Sequence, residues 1–374
     1  MVIHFSILIV ILICSLIWEQ SIKYGKLDCI YNGEEYDYKS QLTPWLIVFG
    51  YIAFLAAMRS GMNDTNAYIN SFNNIPGTWE DIVRIISGDG KDKAFDITAN
   101  IFKMFISTDY HLWFAFFAVI ESGIFVYILR RESVSFLDSC FVLFVTTLYY
   151  NYFSMIRQWF AVVVLFAGAR LIKEGKTIPY IILCVVMAQY HESAYLLIPI
   201  YFIVTGEAWS KKQNILVGAS VIALIFLNPL LSSLQTTLEG TTYDYALDAM
   251  ASNSGSSFIR AIITAVPVVI AFVDRQYIGK DKKMINVCVN MSLLNFLLNL
   301  LATFTSGLYV IRLTTYTSVY NLILYPYLLN VTVSEQNRRI LKIGFYVIYL
   351  VYFYYQMSHQ GAWGYRSDIL GTFL

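Results

Sequence analysis

"PWLIVFGYIAFLAAM", residues 44–58, runs directly into "RSGMNDTNAYINSF", residues 59–72. The first stretch carries no charged side chain, and the second opens on an arginine and continues with turn-forming and helix-starting residues. An uncharged apolar run that ends in a basic, turn-rich segment is the pattern of a helix leaving a bilayer. The pattern recurs. Hydrophobic residues make up 57% of the 374 and charged residues 14%, with a mean hydropathy of +0.58. A soluble globular chain is nearer half apolar and a quarter charged. The excess is spread along the whole chain, which excludes one large soluble core and predicts an all-α polytopic membrane protein.

Twelve apolar runs of helix length are expected, at 2–18, 43–58, 110–129, 134–150, 154–172, 177–190, 193–209, 214–230, 258–273, 284–304, 313–330 and 340–356. The run 2–18 lacks a basic leader and a small-residue cleavage site, so it reads as a first transmembrane helix and not as a cleaved signal. Basic residues orient the set. Seventeen of the 26 fall in one group of connections: Lys23, Lys26, Lys39, Arg130, Arg131, Arg170, Lys173, Lys176, Lys211, Lys212, Arg275, Lys280, Lys282, Lys283, Arg338, Arg339 and Lys342. The other group holds nine, although its loops are longer. The first group is expected in the cytoplasm and both termini outside. Residues 1–374 then form a single membrane domain. It carries a large external loop at 59–109 after the second helix, another at 231–257 and an external tail at 357–374. Within the first loop, "AFDITANIFKMFIS" (94–107) has apolar residues at 94, 97, 101, 102, 105 and 106, the pattern of an amphipathic helix lying at the interface.

Net charge is +1, which argues for neither a nucleic-acid partner nor an acidic one. The five cysteines are far apart and read as small buried residues, not as a disulfide framework. No dedicated metal-ligand set and no cofactor motif is evident, and no internal repeat of the kind found in transporters.

Polar chemistry collects on the expected outer face. Arg59 either snorkels at its helix end or binds an anion. Asn63 or Asp64 can cap a short helix through Phe72, on which Asp64, Tyr68 and Phe72 share a face, an arrangement able to hold a sugar. "NYFSMIRQWF" (151–160) sets Arg157 and Gln158 among aromatic residues. "MAQYHESAYLLIP" (187–199) places Tyr190, His191 and Glu192 at an outer hairpin, and "FTSGLYVIRLTTY" (304–316) puts Arg312 at the start of an inward run. Arginines on one face point to a polyanion, because guanidinium stays charged and grips phosphate with two N–H groups. A lipid-linked phosphate or pyrophosphate at the outer interface is the expected ligand. A carboxylate or histidine there can take the proton of an attacking hydroxyl.

At these residues the sequence resembles the EpsG family of bacterial exopolysaccharide-synthesis membrane proteins, related to Wzy-type polysaccharide polymerases. The matching stretches are "RSGMNDTNAY", "KAFDITANIFKMF", "YFSMIRQWFA" and "AQYHESAYLLIPIY", in order over residues 59–201. The family pattern Arg-x-Val-Gly-x-Asp stands here as Arg59-Ser60-Gly61-Met62-Asn63-Asp64, with the glycine one residue early. The resemblance implies a helical fold like that of the glycosyltransferase-C class. It also implies a polymerase of repeat units carried on undecaprenyl pyrophosphate, which needs no nucleotide sugar. Arg59, Arg157 and Arg312 would hold pyrophosphate, and Asp64 or His191 would be the base. Tyr68, Gln158, Glu192 and Tyr190 would meet the sugars. A flippase and a chain-length regulator of the same pathway are the implied protein partners, and the bacterial cytoplasmic membrane is the implied location. A polyprenyl-phosphate-sugar glycosyltransferase, a flippase of the same lipid and an assembly subunit without chemistry are the competing readings.

Overall fold

In hydrocarbon every backbone N–H and C=O must be bonded within the protein, and continuous apolar runs of helix length meet this as helices. The computed structural model describes residues 2–23, 41–226, 256–304, 307–333, 335–359 and 364–373, and these are overwhelmingly helical. In chain order the helices are α1 (Val2–Lys23), α2 (Leu42–Met58), α3 (Thr65–Asn74), α4 (Trp79–Ser87), α5 (Lys93–Phe105) and α6 (Tyr110–Glu132). Then come α7 (Phe136–Val145), α8 (Asn151–Ser154), α9 (Ile156–Ala167), α10 (Ala169–Lys173), α11 (Thr177–Ala188), α12 (Leu197–Val204) and α13 (Lys211–Ile225). The last are α14 (Phe258–Val273), α15 (Lys283–Phe304), α16 (Gly307–Ser318), α17 (Asn321–Tyr327) and α18 (Glu335–His359). This is an all-α membrane protein. Three helices among the described residues, Tyr110–Glu132, Lys283–Phe304 and Gln336–His359, are long and apolar enough to cross a bilayer. Six more apolar helices are shorter.

Several expected runs are broken, each for a local reason. The run 134–150 stops at Val145, where Thr147 takes the left-handed conformation (φ 59°). The run 154–172 is interrupted at Gly168, and 313–330 divides at Val319–Tyr320 and ends in a wide turn at Leu328–Thr332 after Pro326. The expected loop 231–257 lies outside the described residues except for Ser256 and Ser257.

The chain divides into two compact units. The first comprises Met1–Gly168, Ile181–Tyr195 and Tyr325–Leu374, the second Ala169–Tyr180 and Leu196–Leu324. In the first unit α2 packs along α6. Phe49 stacks on Phe125 at 5.5 Å, and Ser122 Oγ donates to the Phe49 carbonyl at 3.0 Å. Asp138, fully buried on α7, accepts from Lys342 Nζ (2.9 Å), from Asn330 Nδ2 (2.7 Å) and from the Tyr346 hydroxyl. Charge-assisted bonds of this kind are about twice as strong as neutral ones, and here they tie α7 to α18.

A short C-terminal hairpin, Arg366–Ser367 with Thr372–Phe373, docks on the Ser60–Gly61 turn after α2. Ser60 N–H donates to the Arg366 carbonyl and Arg366 N–H to the Gly61 carbonyl, both at 2.8 Å. A Cβ on Gly61 would stand 3.2 Å from Arg366 Cδ, so any larger residue there makes the Arg366 side chain shift by a few tenths of an ångström. Tyr365 Oη and Ser367 Oγ donate to the Leu55 and Met58 carbonyls, which the end of α2 leaves without helical partners.

Residues 59–109 contain three helices. The expected amphipathic stretch is α5, but Phe95, Ala99 and Phe102 are buried with Phe72, Trp113, Phe114 and Phe117 in one aromatic cluster. Phe95 and Phe102 stand 5.5 and 5.1 Å from Trp113. The helix therefore turns one face to protein and leaves only Ile101, Phe105 and Ile106 exposed.

In the second unit, α15 buries Asn286, Asn290, Asn295 and Asn299. Asn290 Nδ2 donates to the Val204 carbonyl at 2.9 Å, Asn286 Oδ1 accepts from Ala208 N–H at 2.7 Å, and Thr317 Oγ1 donates to Asn295 Oδ1 at 3.2 Å. These amides fasten α15 to the loop after α12 and to α16.

Candidate functional site

The site is built around Arg157. The backbone leaves helical geometry at Met155 (φ −120°, ψ 56°) and restarts as α9, so Arg157 projects from a first turn. Its Nη1 lies 3.1 Å from Asp92 Oδ2. The guanidinium stands over two rings, 5.7 Å from the Tyr68 centroid and 5.5 Å from that of Phe95, where the ring quadrupole attracts it. The side chain is 40% exposed and Asp92 only 13%. Burial pushes the Tyr68 phenol up, so it stays a neutral hydroxyl beside the guanidinium.

Asp92 precedes α5 in the left-handed conformation (φ 55°) and makes no side-chain cap for that helix. Its carboxylate is committed elsewhere: Oδ2 to Arg157 and Oδ1 to the Glu192 N–H at 3.1 Å. It thus joins the start of α9 to the hairpin at 189–196. Three further contacts hold that hairpin on α5. Ala94 N–H donates to the Gln189 carbonyl at 2.9 Å, Thr98 Oγ1 meets Tyr190 Oη at 3.1 Å, and Lys91 Nζ pairs with Glu192 Oε2 at 2.9 Å.

His191 is half-buried on the same hairpin. Its Nδ1 lies 3.3 Å from Ser193 N–H and 2.9 Å from Ser193 Oγ. A backbone N–H donating to Nδ1 requires a lone pair there, so in the neutral ring the proton resides on Nε2. In neutral His191 the N–H donor is therefore at Nε2.

The other expected site residues fall in different places. Arg59 is 1% exposed. Its Nε donates to Thr65 Oγ1 at 3.2 Å, Nη1 donates to the Ala56 carbonyl, and the guanidinium lies 4.0 Å above Phe114. Nη2 has no hydrogen-bond partner among the described residues, and the buried Glu121 lies within Coulombic reach. A side chain so enclosed neither snorkels nor lines an open site. Asp64 is exposed and precedes α3 without a side-chain capping bond; Thr65 Oγ1 instead donates to the Met62 carbonyl at 2.6 Å. Of the expected Asp64–Tyr68–Phe72 face, Tyr68 reaches Arg157, whereas Phe72 stacks on Trp113 at 5.4 Å inside the cluster. Gln158 is 3% exposed, turned into the helix pack. Arg312 is exposed on α16 in the second unit.

Sequence reasoning passed over Asp92, Lys91 and Asp96. The available signal was "GDGKDKAFD" (88–96), where carboxylates at 92 and 96 are one helical turn apart. Among the described residues no three His, Cys, Asp or Glu side chains converge as a metal site. The donor set here, a half-open guanidinium with hydroxyl and N–H groups beside it, suits an anion.

The EpsG family model matches residues 42–367. The chain belongs to the EpsG family. It is therefore a membrane protein of polysaccharide biosynthesis. The EpsG match contains the Arg157 rim, the 189–196 hairpin and the turn on which the C-terminal hairpin docks. Neither the curated proteins nor the solved structures contained a match.

Proposed function

We propose that this EpsG protein is a glycosyltransferase that polymerises undecaprenyl-pyrophosphate-linked oligosaccharide repeat units at the outer face of the cytoplasmic membrane. An acceptor hydroxyl attacks the donor anomeric carbon, and undecaprenyl pyrophosphate leaves. The observation that carries this reading is Arg157: a guanidinium 40% exposed, fixed by Asp92 and by two aromatic rings. A fixed, partly desolvated cation stabilises charge that develops on a leaving phosphate. His191 Nε2–H and the Tyr68 hydroxyl are further donors for the same anion, and Tyr190 and Glu192 line the sugar side. Arg59 acts through position, holding the α2–α3 turn on α6. The asymmetry of basic residues supports a twelve-crossing topology with this rim outside, and the family resemblance points to a glycosyltransferase-C-like arrangement.

The test is reconstitution. The purified chain in liposomes with lipid-linked repeat units alone should extend them into a ladder of polymers and release undecaprenyl pyrophosphate. Extension only when a polyprenyl-phosphate monosaccharide is supplied would replace the polymerase reading. Transbilayer movement of the units without extension would make the protein a flippase.

A further inference from the structure

Five carboxylates and an imidazole stand around or near the Arg157 rim, and among the described residues all but Asp64 and Asp96 have a hydrogen-bonding or ion-pair partner. Both oxygens of Asp92 are taken, one by Arg157 and one by the Glu192 N–H. Glu192 pairs with Lys91. Asp81, buried on α4, pairs with Arg84, and its own N–H donates to Thr78 Oγ1. The neutral His191 ring carries its proton on Nε2, as the Ser193 N–H at Nδ1 dictates. Asp64 is exposed and belongs to the start of α3.

Asp96 differs. It stands in the first turn of α5, one turn after Asp92, half-buried and within Coulombic reach of Arg157. Its backbone carbonyl accepts from Asn100 Nδ2 at 3.1 Å. No donor among the described residues bonds to its carboxylate. A half-buried carboxylate without donors has both oxygens available, and it binds a proton more readily than a solvated one.

We infer that Asp96 is the general base of the site, taking the proton of the sugar hydroxyl as its oxygen bonds to the donor anomeric carbon. The C–O bond to the pyrophosphate breaks in the same displacement, its electron pair leaves with undecaprenyl pyrophosphate, and the proton ends on Asp96. This rests on the polymerase reading and names the proton acceptor for it. The charged groups facing Asp96 are Arg157 on α9, Asp92 before α5 and Asp81 on α4, the last already paired with Arg84. Burial pushes the Asp96 carboxyl up, Asp92 and Asp81 add to that, and Arg157 opposes it. The base must be ionised, so turnover rises with pH through a midpoint above that of a solvated aspartate and is lost below it.

The experiment compares wild type, Asp96→Asn and Asp96→Glu in nanodiscs, reading extension of lipid-linked repeat units against pH and binding of undecaprenyl pyrophosphate. Asp96→Asn should lower turnover by about 10²–10⁴-fold, keep wild-type binding of undecaprenyl pyrophosphate and lose the acid limb. Asp96→Glu should keep part of the turnover with that limb displaced. Wild-type extension by Asp96→Asn, or an unchanged acid limb in it, overturns the inference and leaves the polymerase reading intact. Loss of binding together with turnover in both variants makes Asp96 structural and also overturns it. A wild type that extends nothing overturns the polymerase reading and the inference together.

Discussion

Arg59 and Arg157 share a residue type, and both sit where a helix meets a connection in the same compact unit. Their surroundings are opposite. Arg59 is enclosed by the end of α2, the start of α3 and the Phe114 ring. Arg157 stands on an open rim with one carboxylate partner and two rings. The first gives Nε to a hydroxyl and Nη1 to a backbone carbonyl of its own fold. The second keeps part of its fork toward solvent. Burial separates the two: Arg59 is 1% exposed and Arg157 is 40% exposed.

The comparison can be broken most directly at Arg157. Arg157→Ala should lower polymer extension by about 10²–10³-fold with thermal stability near wild type, and Arg157→Lys should recover little, because an ammonium cannot make the bidentate grip. Arg59→Ala should show the reverse signature, a loss of roughly 3 kcal/mol of stability visible in thermal unfolding in detergent. Of similar size, Trp113→Ala should cost about 3–5 kcal/mol, since it empties the middle of the aromatic cluster that supports Tyr68 and Phe95. A smaller effect is expected where the C-terminal hairpin seals the Arg59 turn: Tyr365→Phe should lose about 1 kcal/mol. The smallest belongs to Asp64, whose side chain caps nothing; Asp64→Ala should stay within about 0.5 kcal/mol of wild type. A marked loss of extension with Asp64→Ala would move the reactive carboxylate from α5 to α3.

The all-helical class was legible because continuous uncharged runs of helix length, with no period-2 alternation, satisfy their backbone in hydrocarbon as helices. "RSGMNDTNAYINSF", "NYFSMIRQWF" and "MAQYHESAYLLIP" mark Tyr68, Arg157, Tyr190, His191 and Glu192 as polar side chains near helix ends, and the structure places all five in one compact unit. Helix ends were less legible. Thr147 adopts a left-handed backbone and Gly168 a turn inside strings whose hydropathy never falters. Burial of Arg59 was hidden because the ring that covers it, Phe114, and the hairpin residues that bond the neighbouring α2 carbonyls, Tyr365 and Ser367, are distant in sequence. Asp92 was hidden for a related reason. In sequence it resembles one more solvated charge in "GDGKDK", and only the fold brings Arg157 and the Glu192 N–H to its two oxygens. Asp138 shows the same effect: its partners Asn330, Lys342 and Tyr346 are distant in sequence and converge only when α7 meets α18.

Arginine-selective labelling with phenylglyoxal, read by mass spectrometry with and without undecaprenyl pyrophosphate, tests the central claim most directly. Arg157 should be modified in the free protein and protected by undecaprenyl pyrophosphate, while Arg59 stays unmodified in both. Modification and protection of Arg59, with Arg157 indifferent to undecaprenyl pyrophosphate, would contradict the account.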